Sequence, residues 1–125
     1  MIYSLKGVKH VGYRTRPRFD DWYWTLADSE RVSIQASLMV LADKGAQLGR
    51  PHADTLYGSK HTNMKELRVN SSGKPLRIFF AFDPERTGIV LCGGDKTSDK
   101  RFYKKMIPIA DAEFDEHLEE LKNGE

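Results

Sequence analysis

NMKELRVNSSGKPLRIFFAFDPERTGIVLCGGDKTSDKRFYKK, residues 63–105, contains three runs of alternating apolar and polar residues separated by two turn sequences. Alternation at period two predicts strands over Met64 to Asn70, Pro75 to Phe82 and Ile89 to Gly93. The intervening SSGK and DPERTG are rich in the residues that tight turns require, so the three strands form an antiparallel meander. Successive side chains on a strand point to opposite faces. Leu67 and Val69 then share a face with Leu76, Ile78, Phe80 and Phe82, a face expected to pack on helices. Glu66, Arg68, Arg77 and Phe79 fall on the other, joined by Val90 and Cys92 from the third strand.

Upstream, Val8 to Arg16 alternates weakly and reads as an edge strand with Gly12 marking a bulge. Pro17 suits the first turn of a helix, where its missing N–H is not needed, and RFDDWYWTLA places Phe19, Trp22, Tyr23 and Leu26 at helical spacing. Trp22 and Trp24 fall on opposite sides of that helix, which leaves one of them for docking a partner. Asp28 or Ser29 caps a second helix, whose apolar face carries Val32, Ile34, Leu38, Met39 and Leu41 and whose stop is Gly45. Ala46 to Thr62 reads as a long connection anchored in the core by Leu56 and Tyr57. Beyond Ser98, a short basic helix to about Lys105 is expected, then a break at Pro108 and an acidic helix over Ile109 to Leu121 with Phe114, Leu118 and Leu121 inward. The fold class is α+β: a small antiparallel sheet, an N-terminal helical hairpin and a C-terminal helix. With 125 residues and 39% hydrophobic content, residues 1–125 make a single domain around one core.

Composition excludes several functions. The first twenty residues hold no long apolar run, so neither a signal peptide nor a membrane span is expected there. Cys92 is the sole cysteine, and His10, His52, His61 and His117 are scattered, without zinc-ligand or HExxH spacing. This fits a reducing cytoplasm and predicts neither metal nor cofactor. The net charge of +2 conceals a strong polarity. Residues 1–18 contain five Lys/Arg and no acid; residues 95–105 contain five against two Asp; residues 111–125 contain seven acids against Lys122.

Arginine is suited to a half-buried anion site, because its planar fork binds phosphate oxygens in pairs and keeps its charge. Arg68 and Arg77 on one strand face can therefore hold a phosphate, or they can be held by Glu66 in a structural ion pair, although one carboxylate cannot neutralise both. After the third strand, Lys96, Lys100, Arg101, Lys104 and Lys105 are interleaved with Phe102 and Tyr103, a nucleic-acid pattern in which cations meet phosphates and a ring stacks on a base. The same stretch also reads as a helix start capped by Ser98, with Phe102 and Met106 in the core; the two are compatible, since only one helical face is needed inside. His61, in a loop, is a candidate proton carrier or a solvated side chain.

The order of these elements, with LGRP, MKELRV, LRIFFAFD and GGDKT at their spacing, resembles the RelE/ParE superfamily of type II toxins and its HigB-like, phage-derived Gp49-like branch, over roughly residues 18–121. The resemblance implies a β-α-α-β-β-β-α toxin that cleaves mRNA on the ribosome and is neutralised by a cognate antitoxin, often of helix-turn-helix type. By motif it carries the catalytic set onto Arg68, Arg77 and Lys96, with Lys65, Lys100 and Tyr103 as neighbouring candidates; His61, Lys65, Lys100, Arg101, Tyr103 and Lys104 are the expected RNA contacts. The chain departs from the family in having no histidine between His61 and His117, and in HVGYRTRPR, which fits the family's first strand poorly. Two further activities stay open: a protein-binding poison of gyrase, as on the ParE side, and an inactive phage-derived remnant.

Overall fold

The computed structural model describes residues 9–10 and 12–124, with side chains from residue 12. Val8 and Val11, within the expected first strand, lie outside the described residues, as do Lys6 and the side chain of Lys9 from the N-terminal basic run. The chain runs β1 (Lys9–His10), β2 (Tyr13–Thr15), α1 (Pro17–Tyr23), α2 (Asp28–Lys44), a 3-10 turn (Gly45–Gln47), β3 (Ala53–Thr55), β4 (Lys65–Ser71), β5 (Lys74–Phe82), β6 (Gly88–Asp95) and α3 (Phe102–Lys122). The strands form one sheet in the order β1-β2-β6-β5-β4-β3. All neighbours are antiparallel except β2 and β6, which run parallel, so the sheet is mixed rather than purely antiparallel.

The meander has the expected register, with Leu67 opposite Ile78, Val69 opposite Leu76 and Arg68 opposite Arg77. Ser72 and Gly73 both have positive φ, 51° and 82°, which makes SSGK a two-residue turn of the kind that matches strand twist. At the β5–β6 turn, Asp83 Oδ1 accepts the amides of Glu85 and Thr87 at 2.9 and 3.0 Å. Between Phe79 and Phe80 the β5–β6 register shifts: Phe79 pairs with Cys92 but Phe80 with Val90, leaving Leu91 as the extra residue of a bulge. The bulge corrects the expected faces. Val90 turns to the α1/α2 side, whereas Leu91 and Cys92 stay with Phe79.

Helices cover both faces, not one. Phe19, Tyr23, Ile34, Leu38 and Leu41 pack on Leu67, Val69, Leu76, Ile78, Phe80 and Val90. On the opposite face Phe102, Ile107, Ala110 and Phe114 of α3 pack on Phe79, Ala81, Ile89 and Leu91. Two glycines of β6 let this happen. A Cβ on Gly93 would overlap the Trp22 ring, and one on Gly94 would lie 2.9 Å from Phe102 Cε1. Their close approach is thus to an aromatic ring from each helical layer rather than to another backbone.

Several local expectations change for tertiary reasons. Gly12 is a turn, not a bulge: at φ 86° a Cβ there would sit 2.9 Å from Ala42 Cα, so the N-terminal segment folds back on itself as β1 and β2. Ala27, not Asp28 or Ser29, precedes α2; it has no side-chain acceptor, and Glu30 takes its amide at 3.0 Å. Val32 and Met39 are exposed, because Ile34, Leu38 and Leu41 face the sheet, with Val40 and Ala42 partly buried against the same core. Tyr57 is 87% exposed, while Leu56 does pack against the α3-side core. Trp22 is half-buried and Trp24 exposed, as their opposite placement predicts. The long connection contributes β3, paired with β4. The C-terminal helix is continuous through Pro108, which sits on its exposed side; the hydrogen bond lost to the proline is outweighed by Ile107, Ala110 and Phe114 packing on both sides of it. No helix among the described residues is long and apolar enough to cross a membrane.

Candidate functional site

The site is built where β3, β4 and β5 meet the first turn of α3. Glu66, Arg68 and Arg77 share the α3 face of the sheet, and pairing of Asp54 with Glu66 puts Asp54 beside them. Phe102 fixes α3 on Gly94, and the next residue, Tyr103, is thereby carried over Glu66. Glu66 is the hub and is 3% exposed. Its Oε1 accepts the Tyr103 hydroxyl at 2.6 Å, its Oε2 accepts Arg68 Nε at 3.1 Å, and Arg77 Nε lies 3.7 Å from Oε1. Arg68 also donates to Asp54 Oδ2 at 3.3 Å, and that carboxylate accepts Arg50 Nε at 3.0 Å. The carboxylate missing from the charge balance of the two arginines is Asp54, in a stretch read as loop.

Arg77 is held differently from Arg68. Its NH1 donates to the Leu76 carbonyl at 2.9 Å, but its buried Nε has no hydrogen-bond acceptor. Lys96 lies with its ammonium 5.1 Å from the centre of the Tyr103 ring. Burial raises the Tyr103 phenol, and the adjacent Glu66 carboxylate raises it further against the opposing effect of Arg77. Tyr103 is therefore a proton donor at neutral pH, not a phenolate. Arg50 holds Asp54 below the usual carboxylate range.

The remaining predicted residues divide. Lys100, Arg101 and Lys104 are exposed at the start of α3, whose first turn contains no acid. Basic residues at a helix N-terminus oppose the macrodipole and cost about 0.3–1 kcal/mol each, so this cluster concentrates positive potential beside Tyr103 at some expense of stability. Arg101, not Ser98, precedes the helix, and Asp99 takes its amide and pairs with Lys105 at 2.6 Å. Lys65 points to the opposite face, 3.5 Å from Thr55 Oγ1, because it is one residue from Glu66 on the strand. His61 hydrogen-bonds Asp115 at 2.8 Å and lies edge-on to Phe114. Asp115 is twelve residues along α3 from Tyr103, roughly 18 Å at 1.5 Å per residue, so His61 is a strap on the helix rather than part of the cluster. Ser59 and Lys60 add to that strap through Asp111 and Asp115, each at 2.5 Å. In the N-terminal basic run Arg16 is structural: it is buried against Glu113, Glu116 and Glu120 of the acidic helix.

Sequence reasoning weighed Glu66 only as a counter-charge and passed over Asp54 and Arg50. The signal for Glu66 was its position, since alternation already placed it with Arg68. Among the described residues no group of three or more His, Cys, Asp or Glu side chains is arranged to hold a metal.

Residues 21–115 match the family described as phage-derived protein Gp49-like. A Mycobacterium tuberculosis protein named "Putative toxin HigB3" is 43% identical over 96 residues, which is 76% of this chain and 82% of that one. Another from the same organism, "Putative toxin HigB2", is 41% identical over 115 residues, 80% of this chain but 57% of its own length. No solved structure matches. A match that covers β3 to β6, with both sides of the Glu66 hub, and most of α3, together with these identities, places the chain in the Gp49-like family, in its HigB-like branch.

Proposed function

We propose that the protein is the toxin of a type II toxin–antitoxin system and acts as a metal-independent endoribonuclease on mRNA at the ribosome, in the cytoplasm, restrained by a cognate antitoxin. The toxin assignment is supported by the names of its relatives. The single observation that carries the chemistry is the convergence of Tyr103, Arg68 and Arg77 on one carboxylate.

In the proposed reaction the 2′-hydroxyl of the RNA attacks the neighbouring phosphorus, the bond to the 5′-oxygen of the next nucleotide breaks, and a 2′,3′-cyclic phosphate remains. Arg77 stabilises charge on the phosphate oxygens through its guanidinium group, and Arg68 assists from the other side of Glu66. Tyr103, protonated at neutral pH, gives its proton to the departing 5′-oxygen, and Arg77 beside it opposes the rise that burial and Glu66 impose on the phenol. Lys96 faces the 2′-hydroxyl and, as an ammonium, stabilises the charge that develops on its oxygen as the proton passes to water. Glu66 is a positioning residue that orients Tyr103 and holds the two guanidinium groups. Lys100, Arg101 and Lys104 guide the RNA to the site through its phosphates.

The test is cleavage of a defined message in a purified translation extract. Arg77→Ala and Tyr103→Phe are expected to lower the rate by about 10²–10⁴, with Lys96→Ala weaker and growth arrest on induction lost in parallel. Wild-type cleavage by both Arg77→Ala and Tyr103→Phe refutes the assignment, and intact message with gyrase-linked DNA breaks replaces it with the gyrase poison.

A further inference from the structure

β6 has a sheet neighbour on one side for only part of its length. β2 pairs with it from Gly88 to Val90, and the Arg16 amide donates to the Val90 carbonyl at 2.9 Å before the chain turns into α1. From Leu91 to Asp95 no described strand lies beside it on that side. On its other side Gly94 pairs with Arg77 and Asp95 with Leu76, and the Lys96 amide donates to the Pro75 carbonyl at 3.0 Å. Hydrogen-bonded and non-bonded pairs alternate along an antiparallel ladder. Lys96, Gly94 and Cys92 therefore turn their backbone groups toward β5, and Gly93 and Asp95 turn theirs outward.

At Cys92 and Gly93 this edge is the floor of a groove of about 590 Å³. Trp22 of α1 and Thr25, in the turn just beyond it, form one wall, Met106 and Ile109 of α3 the other. The shape selects the occupant. A second copy of this chain would bring its own helices beside its β6 and could not lower that edge between these walls. A nucleic-acid backbone would meet the carboxylates of Asp21 and Glu113, while the nearby Arg18 is already paired with Glu113 at 3.2 Å. A single extended peptide satisfies both backbone and walls: its N–H and C=O groups meet those of Gly93 and Asp95, and its alternate side chains meet Trp22 on one side and Met106 with Ile109 on the other.

We propose that the Leu91–Asp95 edge of β6 is a docking site for an extended segment of a protein partner, added to the sheet as a further strand. The proposal rests on the toxin reading above, which makes that partner the cognate antitoxin. β6 leads directly into Lys96, so a segment lying along it ends at the rim of the Tyr103 cluster and blocks the approach of RNA.

The test uses the full chain co-purified with the protein encoded beside it, followed by amide hydrogen exchange measured residue by residue. Gly93 and Asp95 are expected to slow by about tenfold or more in the complex, with Gly94 and Cys92, already paired to β5, changing little. Thr25→Arg, on the exposed wall, is expected to weaken the complex by about tenfold or more with the circular dichroism spectrum unchanged, and Met39→Arg on the exposed side of α2 to leave it intact. Unchanged exchange at Gly93 and Asp95, or a complex lost with Met39→Arg and kept with Thr25→Arg, overturns the docking site while leaving the toxin reading standing. No association at all overturns both the docking site and the antitoxin assignment.

Discussion

Glu66→Gln separates a site that holds its arginines ready for an anion from one that merely buries an ion pair. The substitution keeps the shape of the side chain and removes its charge. Arg77, whose side chain is 11% exposed, then loses its nearest carboxylate, whereas Arg68 keeps Asp54 at 3.3 Å and is 36% exposed. Breaking a buried pair costs about 3–5 kcal/mol. Because the amide oxygen still accepts one hydrogen bond and Arg68 remains paired, the lower end applies, about 3 kcal/mol, or a fall of about 1–3 M in the urea midpoint. Inorganic phosphate should restore part of it. At about ten times its dissociation constant, an anion that binds only the folded chain adds about 1.4 kcal/mol. The assay is urea denaturation of both proteins in Tris and in phosphate at matched ionic strength, with binding of a short single-stranded RNA alongside. The variant should be less stable in Tris, should gain more from phosphate than the wild type, and should bind the RNA more tightly. Equal responses to phosphate, or weaker RNA binding by the variant, refute the reasoning.

Gly93→Ala forces its new methyl group into the Trp22 ring, and overpacking of this kind costs about 1–3 kcal/mol; the shift should be visible as a change in tryptophan emission. Cys92 is 2% exposed and its thiol is pushed up to about 12 by burial, so a thiol reagent near neutral pH should react with the folded chain at least about a thousandfold more slowly than with the urea-unfolded chain, and equal rates would show the sulfur to be accessible. Asp115 and Glu120 are held below their ordinary values of 3.8 and 4.5, Asp115 chiefly by Lys60 and Glu120 chiefly by Arg16. A lowered folded-state value means that the stability they add is complete above those ordinary values and is lost as pH falls through the lower, folded ones. The urea midpoint should therefore hold steady down to about pH 5 and drop below it, and the drop should be shallower in Arg16→Met.

Much of the fold is legible wherever a periodic pattern and a local signal agree. Leu67, Val69, Leu76 and Ile78 alternate, SSGK supplies the two positive-φ residues, Pro17 opens α1 and Gly45 closes α2. What escaped has no local signature. β3 is three residues long, too short for a period, and exists because β4 offers it an edge. Gly12 reads as a bulge from its neighbours, and only the backbone of Ala42, thirty residues away, makes it a turn. Pro108 breaks helices in isolation, but apolar residues on both sides of it bury against the sheet, and that burial outweighs one hydrogen bond.

The same contrast orders the proposed site. Alternation put Arg68 and Arg77 side by side and made them equivalent, but equivalence does not survive the contribution of β3. Arg68 donates to two carboxylates, Glu66 and Asp54, and an incoming phosphate would have to displace one of them. Arg77 faces one carboxylate, Glu66 at 3.7 Å, near a tyrosine whose proton is retained, and Lys96, just past the end of β6, covers that tyrosine. The groups that are not tied to two carboxylates therefore lie on β5, just past the end of β6 and in the first turn of α3. On the proposed mechanism, Arg77, Lys96 and Tyr103 carry the chemistry, and Arg68, the residue that the motif KELRV makes most conspicuous, serves chiefly to hold Glu66 and Asp54 in place.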